Sequence, residues 1–167
     1  MRWLRFGIGL LLALTLHSLL DSFAPNALAF FNPYVILVVY YAMGGNLFGA
    51  IVAGVLAGLV QDAFSGAIFG LHAFSLTFCA YLVAYVNSRL VLRGVLFFGG
   101  CLAGAVVLNE IVIYVLVNIL LKQKIEMFEQ GMVAKTILTT IFGMILYQMV
   151  LIFLREDRVE PAKRTAW

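Results

Sequence analysis

Charge is scarce in this chain. Only 11% of its 167 residues are Asp, Glu, Lys or Arg, against about 25% in an ordinary soluble domain. That deficit, with 64% hydrophobic residues and a mean hydropathy of +1.06, excludes a typical water-soluble fold. Long runs without charge mark an integral membrane protein built as a single helical bundle. Cysteine is scarce too. Cys79 and Cys101 both stand inside apolar stretches, where a thiol behaves as a small hydrophobe. Neither fits a CxxC or Cys/His spacing, so the sequence implies no disulfide, no metal and no cofactor. The net charge of +3 is spread over chain ends and loops. It reads as membrane orientation, not as a nucleic-acid patch.

What is present is a series of apolar segments. The first runs from about Leu4 to Leu20 behind Arg2 and Arg5. Its basic start and the small-residue pattern Ala27-Leu28-Ala29 also suit a signal peptide. Thr15, His17 and Ser18 interrupt the apolar run, however, and a first membrane helix is the better reading. Asn32-Pro33 then supplies a cap and a first-turn proline for a second segment. Gly44-Gly45-Asn46 breaks that segment before a third apolar run, Leu47 to Val60. Ten helical residues rise only about 15 Å, half of the roughly 30 Å hydrocarbon core. Residues 34–60 are therefore either two short spans or a re-entrant hairpin buried in protein. Three clearer helices follow, at about Phe69 to Asn87, Val95 to Leu121 and Met132 to Leu154. The expectation is an all-α membrane bundle of about six helices over residues 1–154, with a short charged tail over 155–167.

Charge sets the parity. Six crossings with the N-terminus inside place Arg2, Arg5, Arg89, Arg93, Arg155, Arg158, Lys163 and Arg164 on the inner side. The outer side then keeps only Lys122, Lys124 and Lys135. Five crossings would divide these charges almost evenly, against the positive-inside tendency. Both termini are therefore expected in the cytoplasm, and a re-entrant hairpin would give the same placement.

Small residues recur where helices need to approach closely. Gly54-xxx-Gly58 and Gly100-xxx-Gly104 both fit that pattern. Packing within the bundle is the plainer reading, and a docking face for a partner helix the sharper one. The turn after the third segment is unusually polar, with Gln61, Asp62, Ser65 and His72 close together. Asp62 falls at the C-terminal end of its helix, where the dipole opposes a negative charge. It is therefore expected to accept backbone hydrogen bonds through Ser65-Gly66 and the start of the next helix. Gly66 and Gly70 permit a tight reversal. On local physics alone this is a structural turn, with His72 a hydrogen-bonded interfacial side chain.

The run Gly54 to Gly66, continued by Gly70-Leu71-His72-Ala73, resembles the signature region of the MreD family of bacterial rod shape-determining membrane proteins. The resemblance extends to the length, the Arg-bearing first helix, the Asn-Pro start of the second segment and the short basic tail. Its specific part is the Gln61-Asp62 region; the family often has Asn at the position of His72. The resemblance implies a bacterial inner-membrane scaffold acting beside MreC. It also implies the actin-like MreB and a glycosyltransferase–transpeptidase pair as indirect partners in cell-wall elongation.

Glu110 is the other informative residue, an acid inside the apolar run Val95 to Leu121. Gly99, Ala103, Tyr114 and Asn118 share a broad stripe with it, which should face protein and not lipid. A stripe of Thr136, Thr140, Gly143 and Tyr147 on the last helix is positioned to answer it. Glu110 and Tyr114 then mark either a polar pocket or an internal hydrogen bond that orders the bundle. An enzyme is disfavoured, because Ser65 and His72 lack a nucleophile elbow and a third member. The rival function is a small-molecule-binding subunit of a vitamin or metal importer. Such subunits have similar size and about six helices, and some resemble MreD in fold. They typically couple through an AxxxA pattern in the first helix, where this chain has Ala13 alone. The interrupted second segment and Glu110 favour that rival.

Overall fold

A computed structural model describes residues 2–23, 31–44, 46–66, 68–89, 94–121 and 131–159. Six helices lie among them: α1 (Arg2–Phe23), α2 (Pro33–Met43), α3 (Leu47–Ser65), α4 (Leu71–Arg89), α5 (Val95–Leu121) and α6 (Gly131–Val159). No strand occurs among the described residues. Five of the six are long and apolar enough to cross a membrane, and α2 is the exception. Gly45, Arg93, Lys122, Lys124, Glu126, Glu129, Lys163 and Arg164 lie outside the described residues, as does Ala27-Leu28-Ala29.

The short helix is the centre of the molecule. α2 touches each of the other five helices, and seven of its eleven residues are buried. It begins where Asn32 and Pro33 suggest. Asn32 has extended backbone, and its Oδ1 accepts the Tyr34 and Val35 amides at 3.1 and 3.4 Å. The Asn32 amide in turn donates to Thr139 Oγ1 on α6 at 3.4 Å. At the other end Gly44 turns the chain, and Asn87 Nδ2 of α4 caps the Met43 carbonyl at 3.0 Å. The segment after the break is not short, however. α3 continues past Val60 through Ser65, so residues 34–60 are one half-length helix and part of a full-length one.

Ring contacts fix the helix directions. Trp3 and Phe6 of α1 pack on Tyr41 near the end of α2, whereas His17 packs on Tyr34 near its start. Tyr147 of α6 meets Tyr40 and stacks on Phe98 at the start of α5. The end of the bundle that holds Trp3, Tyr41, Asn87 and Phe98 is called proximal below, and the opposite end distal. At about 1.5 Å per residue, α2 spans only the proximal half of a bilayer. Its N-terminus is therefore buried at mid-depth, where Asn32 and Thr139 are 5% and 0% exposed.

The α3–α4 pair is the tightest contact, and its glycines explain why. A Cβ on Gly54 would lie 2.8 Å from the Leu76 carbonyl oxygen and from Thr77 Cα. One on Gly58 would collide with the backbone of Ala73. Gly100 and Gly104 behave differently, contrary to the expectation of internal packing. A Cβ on either meets nothing within 4 Å, and both line an apolar groove of about 430 Å³ between α4 and α5. Helix ends differ from expectation as well. α4 begins at Leu71 because the Gly70 backbone, at φ +97°, belongs to the turn. α6 runs past Leu154 to Val159, since no Gly or Pro interrupts the chain before Pro161.

Candidate functional site

The fully buried polar residues, Asn32, Gln61, Asp62, Ser75, Asn109 and Thr139, lie around the level of the α2 N-terminus and distal to it. Asp62 is the best connected. It sits in the last turn of α3, 3% exposed, and reaches across the turn to the start of α4. Its Oδ2 accepts the amides of Gly70 and Ala73 at 2.9 and 3.1 Å. Its Oδ1 accepts the His72 amide at 2.9 Å and lies 2.8 Å from His72 Nδ1. The unfavourable end of one helix dipole is thus offset by the favourable end of the next. The expected bonds through Ser65-Gly66 do not form. Ser65 Oγ instead donates to the Asp62 backbone carbonyl at 3.5 Å, and Gly66 ends α3 with φ +63°, a conformation that suits glycine.

Glu110 finds a partner that the sequence reading placed elsewhere. Lys135 Nζ of α6 lies 2.7 Å from Glu110 Oε1, with the two side chains 18% and 25% exposed respectively. The anticipated Thr136 stripe does not answer it. Thr136 Oγ1 bonds the Met132 carbonyl on its own helix, Gly143 packs against Leu102 and Ile36, and Tyr147 stacks on Phe98. Tyr114, one turn beyond Glu110, is half-buried and accepts Asn118 Nδ2 at its backbone carbonyl.

Several members of this layer escape sequence reasoning. Ser75 Oγ of α4 is 2.8 Å from Asn109 Oδ1 of α5, and both residues are buried. His17 of α1 stands one helical turn before Asp21. Its ring centroid is 5.5 Å from that of Tyr34. The available signal was simply a polar residue inside an apolar run, and Asn109 stands directly before Glu110. Among the described residues, five buried polar atoms have no hydrogen-bond partner: Tyr34 Oη, Gln61 Oε1, Asn109 Nδ2, Thr140 Oγ1 and Glu110 Oε1, the last of which is ion-paired with Lys135.

The bonds of Asp62 tie the end of α3 to the start of α4. Ser65 and His72 both bond Asp62, one at its carbonyl and one at its carboxylate, so the histidine does not orient the serine as a base would. No group of three or more His, Cys, Asp and Glu suited to a metal occurs among the described residues. Comparison with curated proteins and with solved structures yields no match. The family of the rod shape-determining protein MreD matches residues 1–156, and this multi-pass membrane protein belongs to that family.

Proposed function

We propose that the protein is a non-catalytic scaffold of the bacterial rod-elongation machinery. It pairs with MreC in the inner membrane, with both termini in the cytoplasm, and through MreC serves MreB and the glycosyltransferase–transpeptidase pair. The observation that carries this reading is the family match along nearly the whole chain. The engagement of its ionisable groups supports it. Asp62 and His72 close the α3–α4 turn, and Glu110 holds Lys135, which leaves neither pair poised as an acid and base. The importer reading leaned on Glu110 and on the interrupted second segment. Pairing with Lys135 gives Glu110 an internal task, and α2 serves as the hub that every other helix packs on.

The test is mass spectrometry of complexes gently solubilised from cells carrying tagged MreC. The expected result is one complex containing both chains, with loss of rod shape when this chain is depleted. Recovery of MreC alone, while this chain accumulates normally, would sink the proposal.

A further inference from the structure

The groove between α4 and α5 covers one leaflet only. Leu82 and Val86 of α4 line it, with Leu96, Gly100, Gly104 and Leu108 of α5, around a volume of about 430 Å³. From Leu96 to Leu108 the helix rises about 18 Å, close to the roughly 15 Å of half a hydrocarbon core. The groove therefore runs from the proximal surface to mid-depth. Beyond Leu108 the bond from Ser75 Oγ to Asn109 Oδ1, at 2.8 Å, holds the two helices together. Gly100 and Gly104 keep the groove open, since a Cβ on either would meet nothing within 4 Å. No charged side chain lines it, so its walls suit hydrocarbon.

The proximal mouth of this groove is positive. Leu82, Val86 and Arg89 follow one another at helical spacing, which puts Arg89 on the groove stripe at the end of α4. Arg89 is exposed, and its guanidinium carbon lies 5.6 Å from the centre of the Tyr85 ring. Among the described residues no carboxylate pairs with it. Across the mouth α5 begins at Val95. The Phe98 amide donates to the Gly94 carbonyl at 3.0 Å, and among the described residues nothing accepts from the Val95, Leu96 and Phe97 amides. Free first-turn amides and the positive end of a helix dipole favour an anion, as does an arginine. Positive groups at the surface and a hydrocarbon slot one leaflet deep match a single kind of molecule. We propose that the α4–α5 groove binds an anionic phospholipid of the proximal leaflet. One acyl chain lies along Gly100 and Gly104, and the phosphate sits at Arg89 and the start of α5. A membrane-spanning helix fits less well, because it would need a face that continues through both leaflets. This proposal does not depend on the partnership with MreC.

The test is native mass spectrometry of the full chain in detergent, titrated with phosphatidylglycerol or with phosphatidylcholine of the same acyl chains. Wild type should retain one phosphatidylglycerol and prefer it to phosphatidylcholine. Gly104→Leu fills the groove and should abolish retention of both lipids. Thermal unfolding without added lipid checks that this variant folds as wild type does, since the position has open space. Should it fail to fold, Gly100→Leu replaces it. Arg89→Gln leaves the groove intact and should weaken phosphatidylglycerol about fivefold, the worth of one arginine near a membrane surface, with little change for phosphatidylcholine. The proposal is overturned if wild type holds neither lipid or holds both equally. It also fails if the folded glycine variant retains as much phosphatidylglycerol as wild type, or if Arg89→Gln keeps the full preference. A glycine variant that keeps its lipid but releases a membrane protein co-purifying with wild type would make the groove a helix-docking face, which likewise overturns the proposal.

Discussion

At the distal end of α3 the carboxylate of Asp62 meets the negative end of its own helix dipole. It is held there because amides at the entry to α4 point at it: Gly70 of the turn and His72 and Ala73 of the first helical turn all donate to it. Asp62→Ala should lower stability by about 0.5–2 kcal/mol, the usual cost of a lost cap. Asp62→Asn keeps one acceptor oxygen and should fall between. His72→Ala should cost less than Asp62→Ala, since the three backbone donors keep their partner. Thermal unfolding in detergent ranks the three, and an Asp62→Ala protein as stable as wild type would remove the capping role. The Glu110–Lys135 pair calls for a cycle instead of a single substitution. Glu110→Leu or Lys135→Met alone strands a charge inside the bundle, whereas the double variant strands none. Each single change should destabilise, and the double should recover toward wild type, with a coupling of about 0.5–3 kcal/mol. Additive losses would show that the two side chains do not sense each other.

Among the elements, the two glycine pairs are alike in sequence and opposite in use. Gly58 presses on the backbone of Ala73, so Gly58→Ala should force α3 and α4 apart and cost about 1–3 kcal/mol. Gly100 has open space around it, so Gly100→Ala should be neutral or stabilising by up to about 1 kcal/mol through helix propensity. Equal losses in thermal stability would mean that the groove between α4 and α5 is closed. The sequence could not separate these pairs, because lipid-facing and core-facing positions are both apolar in a membrane helix. The usual contrast between an apolar and a polar face is then lost. The same loss hid the central position of α2, although Asn32-Pro33 and Gly44 marked its ends. The polar site was legible only where its bonds are local. Asp62 and His72 share one turn, but Ser75 with Asn109, and Glu110 with Lys135, meet through helix packing that no spacing in the chain announces.

Across the whole molecule the two ends differ in charge. Exposed Arg5 and Arg89 stand at the proximal end, and the Arg155 and Arg158 positions continue α6 beyond it. The distal half holds Asp21, Asp62 and Glu110, and its described Lys135 is already paired with Glu110. Under the proposed orientation, which rests on the positive-inside tendency, the proximal end would face the cytoplasm. Ser65 and Ser88 are both exposed and lie at opposite ends, at the close of α3 and of α4. Each can be replaced by cysteine in a chain whose own thiols have been changed to alanine or serine, Cys79 being buried and Cys101 partly so. In intact spheroplasts a membrane-impermeant maleimide should label Ser65→Cys and spare Ser88→Cys, while both should react once the membrane is opened. α2 enters the same argument. Because it fills only half the membrane depth, Asn32→Ser/Tyr34→Cys should resist the reagent from either side, protected by protein and not by lipid. Labelling of Ser88→Cys in intact spheroplasts would invert the whole chain. The distal polar layer would then face the cytoplasm, and the cytoplasmic placement of both termini would fail with it.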